Sequence, residues 1–204
     1  MNIRPPLLLC AVALASCSSP PVNFYTLSSP MLSETTSSIN IIPFELRPVR
    51  VPLQVDQPQL VLNTSNTTLA VRENDRWGAP LADEFHDALM QRLEQGFNSR
   101  NLSGLPKPSS TEVLRVQVTL RRFESAPTQH AAIDAVWNLA LSRQQETSRS
   151  LTCSSRIIMP AGETLSALVQ AHQQALDELA KVLTRTGSAW YVNEHTSCPP
   201  SRPA

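Results

Sequence analysis

The apolar pattern of this 204-residue chain predicts an α+β domain: a largely antiparallel sheet with two helices packed on one face, in the order β-β-β-α-β-β-β-α. Three observations carry that reading. Two long stretches repeat apolar residues at spacings of three and four, as a helix with one buried face does. Three others alternate apolar and polar residues, as a strand with one wet face does. An apolar fraction of 41% is enough for a core, while seventeen prolines against five glycines mark edges and connections rather than repeats.

The elements follow in order. Residues 39–51 alternate loosely and carry Pro43 and Pro48, which restricts them to an edge strand or a broken one. Gln59 to Asn63 and Thr68 to Arg72 read as a hairpin across residues 64–67, with Leu60, Leu62, Leu69 and Val71 expected on one buried face. In the first helix Pro80 suits the opening turn, and Asp83 and Glu84 complement the positive end of the helix dipole. Leu81, Phe85, Leu89, Leu93 and Phe97 recur there every four residues, with Ala88 beside them.

After a connection over 101–110, Leu114, Val116, Val118 and Leu120 alternate with Arg115, Gln117, Thr119 and Arg121. Ile133, Ala135, Trp137, Leu139 and Leu141 repeat the pattern, and Leu151, Cys153, Ser155 and Ile157 continue it, giving an antiparallel meander of three strands. Glu163 to Arg185 forms the second helix. Its stripe is Leu165, Leu168, Val169, Leu176, Leu179, Val182 and Leu183, and Gly187 is expected to stop it.

The amino terminus divides the chain. Arg4, the apolar run from Leu7 to Leu14 and the small residues Ala15 and Ser16 precede Cys17, which together read as a cleaved signal peptide (1–16) ending in a lipobox. About 20 apolar residues are needed to cross the hydrocarbon core, so this run is a signal and not an anchor. The anchor is lipid on Cys17, because a thiolate is the nucleophile that accepts a diacylglyceryl group. Two or more acyl chains hold stably where one binds marginally. Ser18 follows the cysteine, and the absence of Asp there favours the outer membrane. Residues 17–38, rich in Ser, Thr and Pro, read as a lipidated tether of about 70 Å reach when fully extended. Phe24-Tyr25-Thr26-Leu27 interrupts it and is expected to dock on the domain, which fills residues 39–204.

With Cys10 in the signal and Cys17 taken by lipid, Cys153 and Cys198 remain. In an oxidising compartment they read as a disulfide pinning the tail Cys198-Pro199-Pro200 to a strand; the other reading is a buried free Cys153 and a loose Cys198. Seventeen basic and seventeen acidic residues leave no net charge and no basic stripe for nucleic acid.

Known catalytic patterns are missing from the chain. It contains no Gly-x-x-x-x-Gly-Lys, Gly-x-Ser-x-Gly, His-Glu-x-x-His or Cys-x-x-Cys run. His86, His130, His172 and His195 are scattered, and His172 reads as a residue at the boundary of the last helix's stripe. Asp83, Glu84, His86 and Asp87 crowd one helical stretch, but only Asp83 and Asp87 stand at i, i+4, so a solvated helix start is the better reading. No catalytic residue, cofactor or metal site is predicted. Arg76-Trp77, just before the helix, has two readings. Trp77 packs the helix start onto the sheet, or Arg76 and Trp77 together face a partner, since Trp and Arg are favoured interface anchors.

The lipobox, Phe24-Tyr25-Thr26-Leu27, the run from Val49 to Val61 and Arg76-Trp77-Gly78-Ala79-Pro80-Leu81 together resemble the ABC-type transport auxiliary lipoprotein family, in order and across the mature domain. Family members often carry Leu-Pro and Asp-Arg-Pro where this chain has Val51-Pro52 and Asp56-Gln57-Pro58. The resemblance implies a non-catalytic lipoprotein on the periplasmic face of the outer membrane, in an intermembrane lipid or hydrophobe transport system. Its implied partners are a periplasmic mammalian-cell-entry (MCE) protein, an inner-membrane ABC transporter and further copies of itself. The competing expectation is a lipoprotein that itself carries a lipid or small apolar ligand between helices and sheet.

Overall fold

The computed structural model describes residues 20–28, 41–106, 111–143 and 146–200; the signal region, Cys17 and most of the expected tether lie outside them. The elements are β1 (Asn23–Tyr25), β2 (Phe44–Leu46), β3 (Gln59–Asn63), β4 (Leu69–Trp77), α1 (Leu81–Phe97), β5 (Val113–Ala126), β6 (His130–Arg143), β7 (Glu146–Pro160) and α2 (Leu165–Val192).

Both helices and the β5-β6-β7 meander form as expected, and the class is α+β. The sheet differs. Two mixed sheets replace one largely antiparallel sheet: a four-stranded one in the order β2-β5-β6-β7 and a three-stranded one in the order β1-β4-β3. β2 runs parallel to β5, and β1 runs parallel to β4. Parallel neighbours need a crossover between them, and the chain supplies one by passing through β3, β4 and α1 before it returns as β5. Each parallel strand has three residues, too few to show an alternation.

The four-stranded sheet buries one face under the helices. In β5, Leu114, Val116, Val118 and Leu120 point inward; the register then skips Arg121, so Phe123 and Ser125 take over the inner face. Phe97 of α1 lies 5.2 Å from Phe44 of β2, and Phe85 meets Phe123 edge-on at 6.4 Å. Trp137 is 1% exposed and donates its indole N–H to Ser155 Oγ at 3.0 Å, which removes the cost of burying that donor.

α2 runs past the expected stop. Gly187 sits inside it, where a Cβ would lie 3.0 Å from two ring carbons of Phe97 and 3.2 Å from Leu114 Cδ2. Absence of a side chain there is a packing requirement of the crossing with α1, and the helix continues to bury Trp190. A Cβ on Gly96 of α1 would likewise overlap Thr184 of α2.

The hairpin corrects a second expectation. Asn63 pairs with Leu69, Leu62 with Ala70 and Val61 with Val71, so the loop is one residue longer than expected. A one-residue slip sends every side chain to the other face. Leu60 and Leu62 are buried as expected, whereas Leu69 and Val71 are 42% and 46% exposed. Leu62 packs with Ala131, Leu168 and Ala171, which sets the three-stranded sheet against the end of α2 nearest the β5-β6 turn.

Candidate functional site

Segment 23–28, near the amino-terminal limit of the described residues, is tied to the body by many hydrogen bonds. β1 adds to β4 in register, with Asn23 opposite Asp75 and Tyr25 opposite Trp77. Asp75 is 5% exposed and is the acceptor that makes this stable. Its Oδ1 receives the Asn23 side-chain amide at 3.0 Å and the Tyr25 hydroxyl at 3.4 Å, while Oδ2 receives Arg72 Nε at 3.1 Å. A buried carboxylate with three donors is satisfied; without them it is costly. Burial first, and the neighbouring Asp75 charge second, raise the Tyr25 phenol above its ordinary pKa.

Beyond β1 the segment crosses both helices. Glu84, in the first turn of α1, takes the Thr26 hydroxyl at 2.9 Å and the Leu27 N–H at 3.0 Å on one carboxylate oxygen. Gln173 of α2 donates to the Thr26 carbonyl at 3.0 Å, and Arg92 of α1 donates to the Leu27 carbonyl at 3.4 Å while pairing with Asp177 of α2. Leu27 itself is 1% exposed and belongs to the core. The expected docking of residues 24–27 is therefore a strap fixed to β4, α1 and α2. Only residues 18–22 separate Cys17 from β1, so the reach from that cysteine to Asn23 is at most about 20 Å rather than 70 Å.

The other candidate positions fall in different places. Trp77 is 3% exposed and meets Phe123 edge-on at 6.1 Å, so the partner-contact reading of Trp77 is corrected: its ring is core, and a buried ring offers a partner nothing to touch. Arg76 is half-buried on β4, its Nε donating to the Glu73 carbonyl at 3.0 Å. Cys153 and Cys198 are joined, Cα to Cα 5.5 Å, at the far edge of the four-stranded sheet. Among Asp83, Glu84, His86 and Asp87, Glu84 is engaged by the strap, and no group of three metal-ligating residues occurs among the described residues.

One polar pair had no sequence signal. His172 is 1% exposed, not a boundary residue: its ring stacks on Phe123 at 4.1 Å and its Nε2 lies 2.8 Å from Ser125 Oγ. Burial first, then the charge of His130, lowers its pKa to about 3, so the ring is neutral at physiological pH. This Ser–His pair is sealed in the core, and among the described residues Nδ1 has no hydrogen-bond partner to orient it as a base. The Phe123 ring that stacks on it faces inward only because of the register skip at Arg121, which an alternation count misses.

The sequence pattern of the ABC-type transport auxiliary lipoprotein component family matches residues 25–183. The chain belongs to that family. The match opens within the strap, at Tyr25, and runs through α1 and most of α2. Two solved structures share the fold. The crystal structure of an uncharacterized protein is 17% identical, covering 81% of this chain and 98% of its own, with a TM-score of 0.62. A protein from Xanthomonas campestris is 16% identical, covering 87% of this chain and 97% of its own, with a TM-score of 0.53. No curated protein sequence matches the chain. As an auxiliary lipoprotein of ABC-type transport, the protein is a membrane-anchored envelope component. Among its described residues no helix is long and apolar enough to cross a membrane.

Proposed function

We propose that this auxiliary lipoprotein is a non-catalytic docking subunit, held by acyl chains on Cys17 at the periplasmic face of the outer membrane. There it receives the outer end of a periplasmic MCE-type conduit fed by an inner-membrane ABC transporter. The observation that carries the reading is the strap: six to ten residues after Cys17 the chain is hydrogen-bonded first into β4 and then into both helices. A long free tether lets a domain search; a short fixed one holds its surfaces at a set height above the bilayer, where weak intrinsic contacts suffice because local concentration is high.

The interior supports docking over carriage of a ligand. The space between helices and sheet is filled by Phe44, Phe85, Phe97, Trp137 and Leu side chains at no more than 1% exposure. Photo-crosslinking from the exposed positions of β5 and β7 in whole envelopes, followed by mass spectrometry, tests the reading. The expected product is an adduct with a periplasmic MCE-type protein that disappears in Cys17→Ala; exposed positions that give no such adduct in wild-type envelopes would contradict it.

A further inference from the structure

The four-stranded sheet has a second face, which neither helix covers. The helices pack on the side of Leu114, Val116 and Val118, so the alternate positions look outward. These run in register from β5 through β6 to β7: Gln117 beside Asn138 and Thr152, Thr119 beside Val136 and Ser154, Arg122 beside Asp134 and Arg156. Gln117, Ser154 and Arg156 are exposed, and Val136 and Asn138 are partly exposed although β6 lies inside the sheet. Past β2 the chain stays against β5, with the Arg47 N–H on the Val116 carbonyl at 2.9 Å and Arg50 bridged to Thr119. Arg47 follows buried Leu46 and Arg50 follows buried Val49; both arginines are exposed and extend the outward face.

This face is basic in a chain whose charges balance. Its carboxylates are already taken: Glu45 by Arg115 at 3.7 Å, Glu124 by Arg122 at 3.2 Å and Asp134 by Arg156 at 3.2 Å. Arg47, Arg50 and Arg121 have no carboxylate partner among the described residues. The register skip in β5 adds Arg121 to the patch, because Arg121 and Arg122 stand together, exposed, between buried Leu120 and Phe123. Arg50 lies beside Thr119, two residues before Arg121, so their backbones are about 8 Å apart. On the helix side the sign reverses: α1 carries Asp83, Glu84, Asp87 and Glu94 against Arg92.

We propose that the outer face of the four-stranded sheet receives an acidic segment of the protein's transport partner, with Arg47, Arg50 and Arg121 as its charged contacts. The inference rests on the docking reading above and names the chemistry by which the partner is recognised. Guanidinium groups left without carboxylates match a partner's carboxylates in bidentate geometry, and their common sign speeds its approach and rejects basic surfaces. Short side chains at Thr119, Val136 and Ser154 let a partner's backbone come close to the sheet. A face that enters the headgroup boundary presents large apolar side chains; those between the arginines here are Gln117, Thr119, Val136, Asn138 and Ser154, which favours a protein over a bilayer.

The test places the photo-crosslinker p-benzoylphenylalanine at position 154 of the full lipidated chain in whole envelopes and maps the adduct by mass spectrometry. It is run with Arg50→Glu/Arg121→Glu, with the neutral pair Arg50→Gln/Arg121→Gln, and with Arg185→Glu, an exposed position of α2, as the reference. The expected adduct lies in a segment of the MCE-type protein where carboxylates outnumber lysine and arginine. Its yield falls about tenfold in the Glu pair, falls less in the Gln pair and holds in Arg185→Glu, with thermal unfolding unchanged throughout. An adduct in a neutral or basic segment, or a yield that both pairs leave intact, keeps the docking role and removes the arginine recognition. Equal loss in Arg185→Glu assigns the effect to the charge of the whole molecule and overturns the site. An adduct with phospholipid gives the face to the bilayer, and one with α1 of a second copy gives it to self-association; each overturns the proposal. Absence of any MCE-type adduct in wild type contradicts the docking reading itself, and the inference falls with it.

Discussion

Asp75 Oδ1 accepts the Asn23 side-chain amide at 3.0 Å, joining β1 to β4, the middle strand of its sheet. Because Tyr25 and Arg72 bond the same carboxylate, one buried side chain decides whether the strap is part of the body or part of the tether.

Asp75→Ala leaves the Asn23, Tyr25 and Arg72 donors without their acceptor. Hydrogen bonds to a buried charged group contribute about 1.5–3 kcal/mol, so the variant is expected to lose about 3 kcal/mol in urea unfolding. Amide exchange of residues 23–27 should rise ahead of global unfolding. Unchanged protection of Leu27 in the variant would contradict the strap's dependence on Asp75.

Trp77 separates packing from partner contact. Its ring is buried against Phe123 and in the same core as Leu81 and Phe85, so Trp77→Ala removes a large buried side chain and leaves a cavity. The expected cost is about 3–5 kcal/mol by chemical denaturation. An unchanged midpoint with weakened partner capture would restore the interface reading.

His172 makes stability depend on pH in a definite direction. Its folded pKa of about 3 lies below the ordinary imidazole value of 6.5, so the unfolded chain binds the proton more readily. The native state is fully favoured above pH 6.5 and loses that advantage as pH falls toward 3. From pH 7 to pH 5 the loss is about 2 kcal/mol. His172→Gln, which keeps a partner for Ser125, should flatten this stretch of the profile; a variant with the wild-type slope would place the titration elsewhere.

What was legible in the sequence is what repeats. Leu81, Phe85, Leu89, Leu93 and Phe97 fix α1 because five residues of one stripe leave no other period, and the strands β5 to β7 are long enough for alternation to show. The hairpin failed on a single residue of loop length, which hydrophobicity cannot set when Leu60, Val61 and Leu62 are all apolar and all buried. Gly187 failed because a helix-ending glycine and a glycine at a helix crossing look alike without the facing Phe97. Of the site, Phe24-Tyr25-Thr26-Leu27 was legible as something that docks. Its acceptors Asp75 and Glu84 were not, since each reads in sequence as one more solvated carboxylate.

Envelope fractionation of wild type beside Cys17→Ala tests the central claim, that an acylated cysteine a few residues from a clamped strap fixes this domain at a membrane. The account predicts wild type in the outer-membrane fraction, extracted only by detergent, and Cys17→Ala in the soluble periplasm or retained as unprocessed precursor. A Cys17→Ala protein that is processed normally and fractionates with the outer membrane as wild type does would contradict it.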